Sequence, residues 1–110
     1  MAVPVVNISI DKGTHFENTF YVNNDDGSPY LLNGYSVTAK IKKHPSSTVS
    51  KSFTPNVITS QGKITLSMGS SITAELSEGR NYYDIVLTDP WGAKTKVIEG
   101  TAIVTPSLSV

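Results

Sequence analysis

Reactive side chains are few in this chain, and their spacing is unhelpful to chemistry. His15 and His44 are the only imidazoles, and there is no cysteine. A zinc site needs His or Cys ligands at close, repeated spacing, and neither histidine has such a neighbour. His15 reads as the outward face of a strand and His44 as part of a loop, so both read as solvated. Asp25-Asp26-Gly27 invites a calcium reading, because carboxylates beside a flexible glycine can wrap a hard cation. The alternating Asp/Asn ligands and closing Glu of a calcium loop are missing, which makes it a solvent-facing turn. No GxSxG elbow places a serine nucleophile, and no glycine-rich loop cradles phosphate. Carboxylate pairs of the kind used in glycoside hydrolysis arise by chance in any domain with this many acids. Asn7-Ile8-Ser9 matches a glycosylation sequon, which has meaning only on a secreted eukaryotic route. The expectation is no catalytic, cofactor-binding or metal-ligating residue, and no cofactor.

Two features suit binding instead. Trp91 follows Pro90 in Asp89-Pro90-Trp91-Gly92, a type I turn in which Asp bonds the turn backbone, Pro presets φ and Gly closes. At the tip of a hairpin the indole either stands exposed as a contact or folds back over the sheet; exposed aromatics are enriched at interfaces. Tyr82 is the second feature. The Tyr82-Tyr83 pair at a strand start fits a tyrosine corner, whose hydroxyl bonds nearby backbone, a structural role set against ligand contact.

The elements that must position these residues centre on Asn81 to Gly100. Tyr83, Ile85 and Leu87 alternate with Tyr82, Asp84 and Val86, the period of two of a pleated strand. Lys94 to Ile98 return beside it, and Gly100 marks a bulge or a close backbone approach. Earlier, Val5–Ile10 reads as a strand with Val6, Ile8 and Ile10 on one face, followed by the turn Asp11-Lys12-Gly13. Thr14–Val22 reads as a second strand with Phe16, Phe20 and Val22 inward; Asn18 interrupts the series as a bulge or as a buried amide needing partners. After the polar cluster Asn23–Pro29, Tyr35, Val37, Ala39 and Ile41 alternate with Ser36, Thr38, Lys40 and Lys42. Pro45 ends that run. Val49–Thr54 reads as an edge strand guarded by Lys51. Asn56–Ser60 and Lys63–Met68 form a hairpin closed by Gln61-Gly62, with Ile64, Leu66 and Met68 inward. Ser70–Ser77 is the one helical signal, capped by Ser71, with Ile72, Leu76 and Ala74 inward. Ala102 and Val104 continue the last strand to Pro106, and the tail Ser107–Val110 lacks an anchor.

Composition agrees with a β domain. The 110 residues include 14 Ser and 12 Thr, and charged residues make up 16%, against roughly 25% on average. Nine basic and nine acidic side chains cancel to a net charge of +0, whereas nucleic-acid binders carry a basic excess. Lys40 and Lys42 alternate with apolar residues, as on the solvated face of a strand. No stretch is long and apolar enough for a helical membrane span, and MAVPVVNISID lacks the basic and apolar regions of a signal peptide. Synthesis in a cytoplasm without export by that route is expected. About seven or eight short strands at spacings of roughly 8–12 residues predict one domain over residues 1–110, an all-β, immunoglobulin-like antiparallel sandwich with one short helical turn. The single Trp in a turn and the lack of Cys exclude the antibody type.

The run ISIDKGTHFENTFYVNNDDGSPYLLNGYSVTAKIKK resembles the opening of the N-terminal domain of phage baseplate upper proteins. Shared features are a first strand, a Gly-Thr turn, an aromatic strand, a D-x-x-G-x-P-x-x-L-x-G-Y-like segment and an alternating strand. GKITLSMGSSITAELSEGRNYYDIVLTDPWGAKTKVIEGTAIVTPS is similar to its close, with I-x-L and Y-D-I strands, a T-A-x-L turn, a D-x-x-G turn and a terminal V-T-P. The resemblance covers nearly the whole chain through short structural punctuation. It implies a non-enzymatic virion component that attaches receptor-binding proteins or fibres to a tail. Its partners would be other tail or fibre proteins, and its state a trimer or larger homo-oligomer, without nucleic acid or membrane. Members continue into fibrous or receptor-binding regions, whereas this sequence stops at Val110.

Two other functions compete with that one. A carbohydrate-binding module would use Trp91 with Tyr21, Tyr30 or Tyr82 as a stacking platform, and needs those rings exposed and coplanar. An enzyme would need a concave pocket with perturbed carboxylates.

Overall fold

The computed structural model describes residues 4–24, 26–28, 30–47 and 50–108. The alternating stretches form β1 (Ile8–Asp11), β2 (Phe16–Tyr21), β3 (Ser36–Lys42), β4 (Lys51–Ser52), β5 (Thr54–Ile58), β6 (Lys63–Met68), β7 (Gly79–Thr88) and β8 (Lys94–Thr105). One sheet has the order β1-β8-β7-β3-β4 and the other β2-β6-β5. Strands β8, β7 and β3 facing β2, β6 and β5 reproduce the two layers of an immunoglobulin-like sandwich. All pairings between named strands are antiparallel except β1 with β8, which run parallel from Ile8↔Ala102 to Asp11↔Thr105.

Period-two burial fills the space between the layers. Tyr83, Ile85 and Leu87 of β7 are buried beside Ala39 and Ile41 of β3, and Ile64, Leu66 and Met68 of β6 face them with Phe16 and Phe20 of β2. Removing these side chains from water is the dominant stabilising contribution. The rings interlock as well: Phe53 meets Tyr83 edge to face with centroids 6.3 Å apart, and Phe16 at a tilt with centroids 5.7 Å apart.

Several local expectations are corrected. The first strand starts at Ile8, and Val5 makes only an isolated parallel bridge to Glu99. Asn18 is no bulge, since β2 pairs with β6 in unbroken register from Phe16↔Met68 to Tyr21↔Lys63. The bulge in β8 falls at Val97, where the register skips from Ile98 opposite Ile85 to Lys96 opposite Val86. Of the two expected readings of Gly100, the close backbone approach is the one that fits: a Cβ there would collide with the Val6 carbonyl.

The expected edge strand over Val49–Thr54 divides in two, with Val49 outside the described residues. β4 pairs with β3 in one sheet, and β5 pairs with β6 in the other. Buried Phe53 lies at the switch, its N–H donating to the Ala39 carbonyl at 2.9 Å.

The helical signal of Ser70–Ser77 forms the single short turn expected, α1 (Ser70–Thr73), but it is preceded by Gly69 with no side-chain cap. Ser71 therefore caps nothing, and Ile72 and Ala74 are exposed. Thr73 points inward because its hydroxyl is needed there. It accepts from Gly13 N–H at 3.1 Å and donates to the Thr14 carbonyl at 2.7 Å, tying α1 to the β1–β2 turn.

Candidate functional site

Three connections meet at one end of the sandwich: the segment between β2 and β3, the turn between β5 and β6, and the β7–β8 hairpin tip. Each is fixed by local chemistry. At the tip, Asp89 N–H donates to the Ala93 carbonyl (2.9 Å) and Gly92 N–H to the Asp89 carbonyl (3.0 Å), the pattern expected of the turn. Asp89 Oδ1 also accepts from Trp91 N–H at 2.9 Å and Ala93 N–H at 2.8 Å. Pro90 leans toward Gly34, where an added Cβ would sit 3.1 Å from its Cγ, so the tip abuts the start of β3.

Trp91 is 89% exposed. The ring does not fold back over the sheet: the turn orders the residue's backbone, and the indole projects away.

The segment before β3 is anchored by Leu32, which is fully buried with its N–H on the Thr59 carbonyl at 3.1 Å. Tyr30 and Tyr35 meet edge to face at 73°, centroids 5.9 Å apart, with hydroxyls 3.2 Å apart. That hydrogen bond raises the Tyr35 phenol above its ordinary value, since ionising it would place charge against the Tyr30 oxygen. Gly62 sits at φ +60 against the Val22 carbonyl, where a Cβ would collide, so the position requires glycine. Leu31 is 60% exposed beside buried Leu32, and Ile58 is also exposed next to the same turn. Their exposure is a consequence of strand phase and loop path, and no signal in the sequence separated Leu31 from Leu32.

Tyr82 stands elsewhere. It lies on the outer face of the larger sheet, opposite Lys42 and Thr101. Six residues along β7 from Thr88, it is about 20 Å from the hairpin tip. Pro90 and Trp91 thus share one end, and Tyr82 does not join them. The tyrosine-corner reading of Tyr82 is also corrected. Tyr83, the buried member of the pair, donates its hydroxyl to the Val6 carbonyl, 77 positions upstream rather than a few. Burial pushes the Tyr83 phenol from 10.0 up to about 12.

Around Tyr82 the outer face forms a shallow hollow of about 510 Å³. Its carboxylates, Asp84 and Glu99, both engage Lys96, at 3.7 and 3.4 Å. These are half-exposed pairs of small energetic weight. His15 and His44 are exposed, and His15 Nε2 lies 3.9 Å from Glu17. Of the suspected calcium loop, Asp25 lies outside the described residues. Asp26 Oδ1 accepts from Ser28 Oγ (2.6 Å) and Ser28 N–H (2.9 Å), bonds that hold its carboxyl below the usual range. Among the described residues no three His, Cys, Asp or Glu side chains converge, and no helix is long and apolar enough to cross a membrane.

A second concavity runs along the side of the sandwich between β2 and the β8 end nearest the hairpin. This apolar seam of about 420 Å³ is lined by Val6, Phe20, Val22, Tyr35, Leu87 and Val97, among others. Asn18 faces it half-buried, with no hydrogen bond from its amide to the described residues.

No protein-family profile matches the chain, and no curated protein matches it. Among solved structures it is similar to an internalin-like protein of Listeria monocytogenes, at 13% identity and TM-score 0.45. That likeness covers 96% of this chain and 28% of the other, so the chain spans little more than a quarter of that protein. AggA, the major subunit of aggregative adherence fimbriae type I from Escherichia coli, is similar at 11% identity and TM-score 0.47, over 94% of this chain and 91% of that one. Amebosin is similar at 16% identity and TM-score 0.39, over 96% and 100%.

Proposed function

We propose that this chain is a non-enzymatic structural module that holds protein partners, in keeping with its sequence resemblance to phage baseplate components. In that reading it is made in the bacterial cytoplasm and ends in the virion, bound to other tail or fibre proteins. The observation that carries the assembly role is Trp91. A turn held by four hydrogen bonds around Asp89 presents an indole that is 89% exposed. Leaving so large an apolar ring in water costs free energy that contact with a protein surface recovers. Leu31 and Ile58 extend the apolar character of the same end. An ordered tip also lowers the entropy lost on binding.

The carbohydrate-binding alternative needs rings in one plane. Tyr21 leaves the outer face of the smaller sheet and Tyr82 the outer face of the larger one, on opposite sides of the molecule. Tyr30 and Tyr35 meet edge to face. This arrangement weighs against a shared stacking platform. Trp91→Ala is the test of the assembly role: the melting temperature should stay nearly unchanged while self-association, followed by light scattering, weakens. Unchanged association would reject Trp91 as the anchor.

A further inference from the structure

A sheet edge presents unpaired N–H and C=O groups, and natural proteins blunt such edges with short strands, charges, Pro or bulges. Three of the four edges here are blunted in this way. β4 is two residues long and carries Lys51; β1 is four residues long and ends in Asp11; β5 carries Pro55. β2 is different. It has six residues, FENTFY, without Pro, Lys or Gly, and its register with β6 is unbroken. Among the described residues no strand lies along its other side.

The groups that β2 leaves free follow from its pairing. Val22 N–H donates to the Gly62 carbonyl at 2.8 Å, so the even-numbered residues direct their backbone toward β6. By the alternation of an antiparallel ladder, Glu17, Thr19 and Tyr21 direct theirs outward.

We propose that this edge pairs with the same edge of a second copy, β2 against β2 about a two-fold axis at Thr19. The proposal rests on the assembly reading and names its surface. Antiparallel pairing centred on Thr19 sets Thr19 opposite Thr19 of the other copy, and Glu17 opposite Tyr21 in both directions. All three are hydrogen-bonding positions, so the exposed backbone groups are satisfied in register. Glu17, the only charge on the strand, faces an uncharged phenol and never its own copy. The net charge of +0 adds no long-range repulsion between copies. A two-fold contact uses the same patch twice and closes on itself, removing the open edge. The apolar seam flanking β2 lies beside the contact and is sheltered by it, together with the Asn18 amide, which has no bond to the described residues. Such a pair favours an even number of chains over the trimer that the resemblance implies.

Light scattering and oxidative cross-linking of the full chain test it. The natural protein should approach twice the 11.8 kDa of one chain as concentration rises. Thr19→Lys places like charges opposite each other on the axis and should hold the protein at single-chain mass. Thr19 is exposed, with only a hydroxyl contact to Thr65 at 3.1 Å, so the fold should survive, as circular dichroism will report. Because the chain has no cysteine, Thr19→Cys gives an independent readout. Hydrogen-bonded antiparallel partners have Cα atoms about 5.5 Å apart, within disulfide range. Under mild oxidation, Thr19→Cys should cross-link at least about tenfold faster than Thr38→Cys on the outer face of β3, because pairing raises the effective thiol concentration. Equal rates overturn the proposal, as does a Thr19→Lys protein that still dimerises. Trp91→Ala in the same assay separates this contact from the hairpin tip. Loss of the dimer there, with Thr19→Lys still dimeric, leaves Trp91 as the contact and overturns the β2 pairing. The reverse pattern supports β2 and removes Trp91 from self-association.

Discussion

Along one side of the sandwich the chain passes from β4 in the larger sheet to β5 in the smaller with only Phe53 between them. The buried ring at that corner packs on Phe16 and Tyr83, and its N–H bonds the Ala39 carbonyl. Along the opposite side, β1 and β2 are joined at one end by the turn of residues 12–15 and then diverge. The gap between them becomes the seam that Val6 and Asn18 line. A strand that changes sheets seals a sandwich with covalent continuity and a core side chain. A strand that only borders the gap leaves backbone and apolar surface available to another molecule.

That contrast predicts unequal responses to mutation. Phe53→Ala, on the sealed side, should cost about 3–5 kcal/mol. Val22→Ala, on the open side, removes a half-buried side chain and should cost about 1 kcal/mol or less. Equal losses in urea titration would erase the distinction between the sides.

Tyr83→Phe tests what holds the open side together. It removes the hydroxyl that bonds the Val6 carbonyl, at a cost of about 0.5–1.5 kcal/mol. The pH dependence sharpens this. The folded phenol holds its proton up to about 12, against 10.0 ordinarily, so the stability linked to it is full below pH 10 and is lost between 10 and 12. Tyr83→Phe should flatten that part of the pH–stability curve, and an unchanged slope would contradict the assignment.

The smallest effect is expected at Asn18. Its amide has no bond to the described residues, so Asn18→Leu should change stability by no more than about 0.5 kcal/mol. A larger loss by thermal melting would mean that the amide serves the fold.

Much of this architecture is legible in the sequence, because burial on two facing sheets writes a period of two. Tyr83, Ile85 and Leu87, or Ile64, Leu66 and Met68, reveal their inward face by alternation alone. The Asp89 turn is legible for a different reason, since Asp, Pro and Gly each suit one backbone position. The sheet switch at Phe53 leaves no such mark: the alternation of Lys51, Phe53 and Pro55 continues through it. Thr73 looks like a surface residue of a helix turn, and only the distant partners Gly13 and Thr14 explain its burial. Phase places Tyr83 rather than Tyr82 inside, but its acceptor, Val6, is a long-range contact that local pattern cannot supply. At the candidate site the turn chemistry orders Trp91's backbone without dictating the direction of its ring. The open edge of β2 is a property of topology, visible only once its neighbours are known.

The parallel β1–β8 pair carries a mechanical consequence. Because these strands run the same way, Pro4 lies level with Glu99 at one end of the pair, while Thr105 lies level with Asp11 at the other. Tension drawing Pro4 and Thr105 apart would drag β1 lengthwise against β8. The rungs from Val6 N–H on the Glu99 carbonyl to Lys12 N–H on the Thr105 carbonyl would then bear the load together, in shear rather than peeling one by one. A fold strung in this way meets a pull along β8 with its rungs loaded as a set.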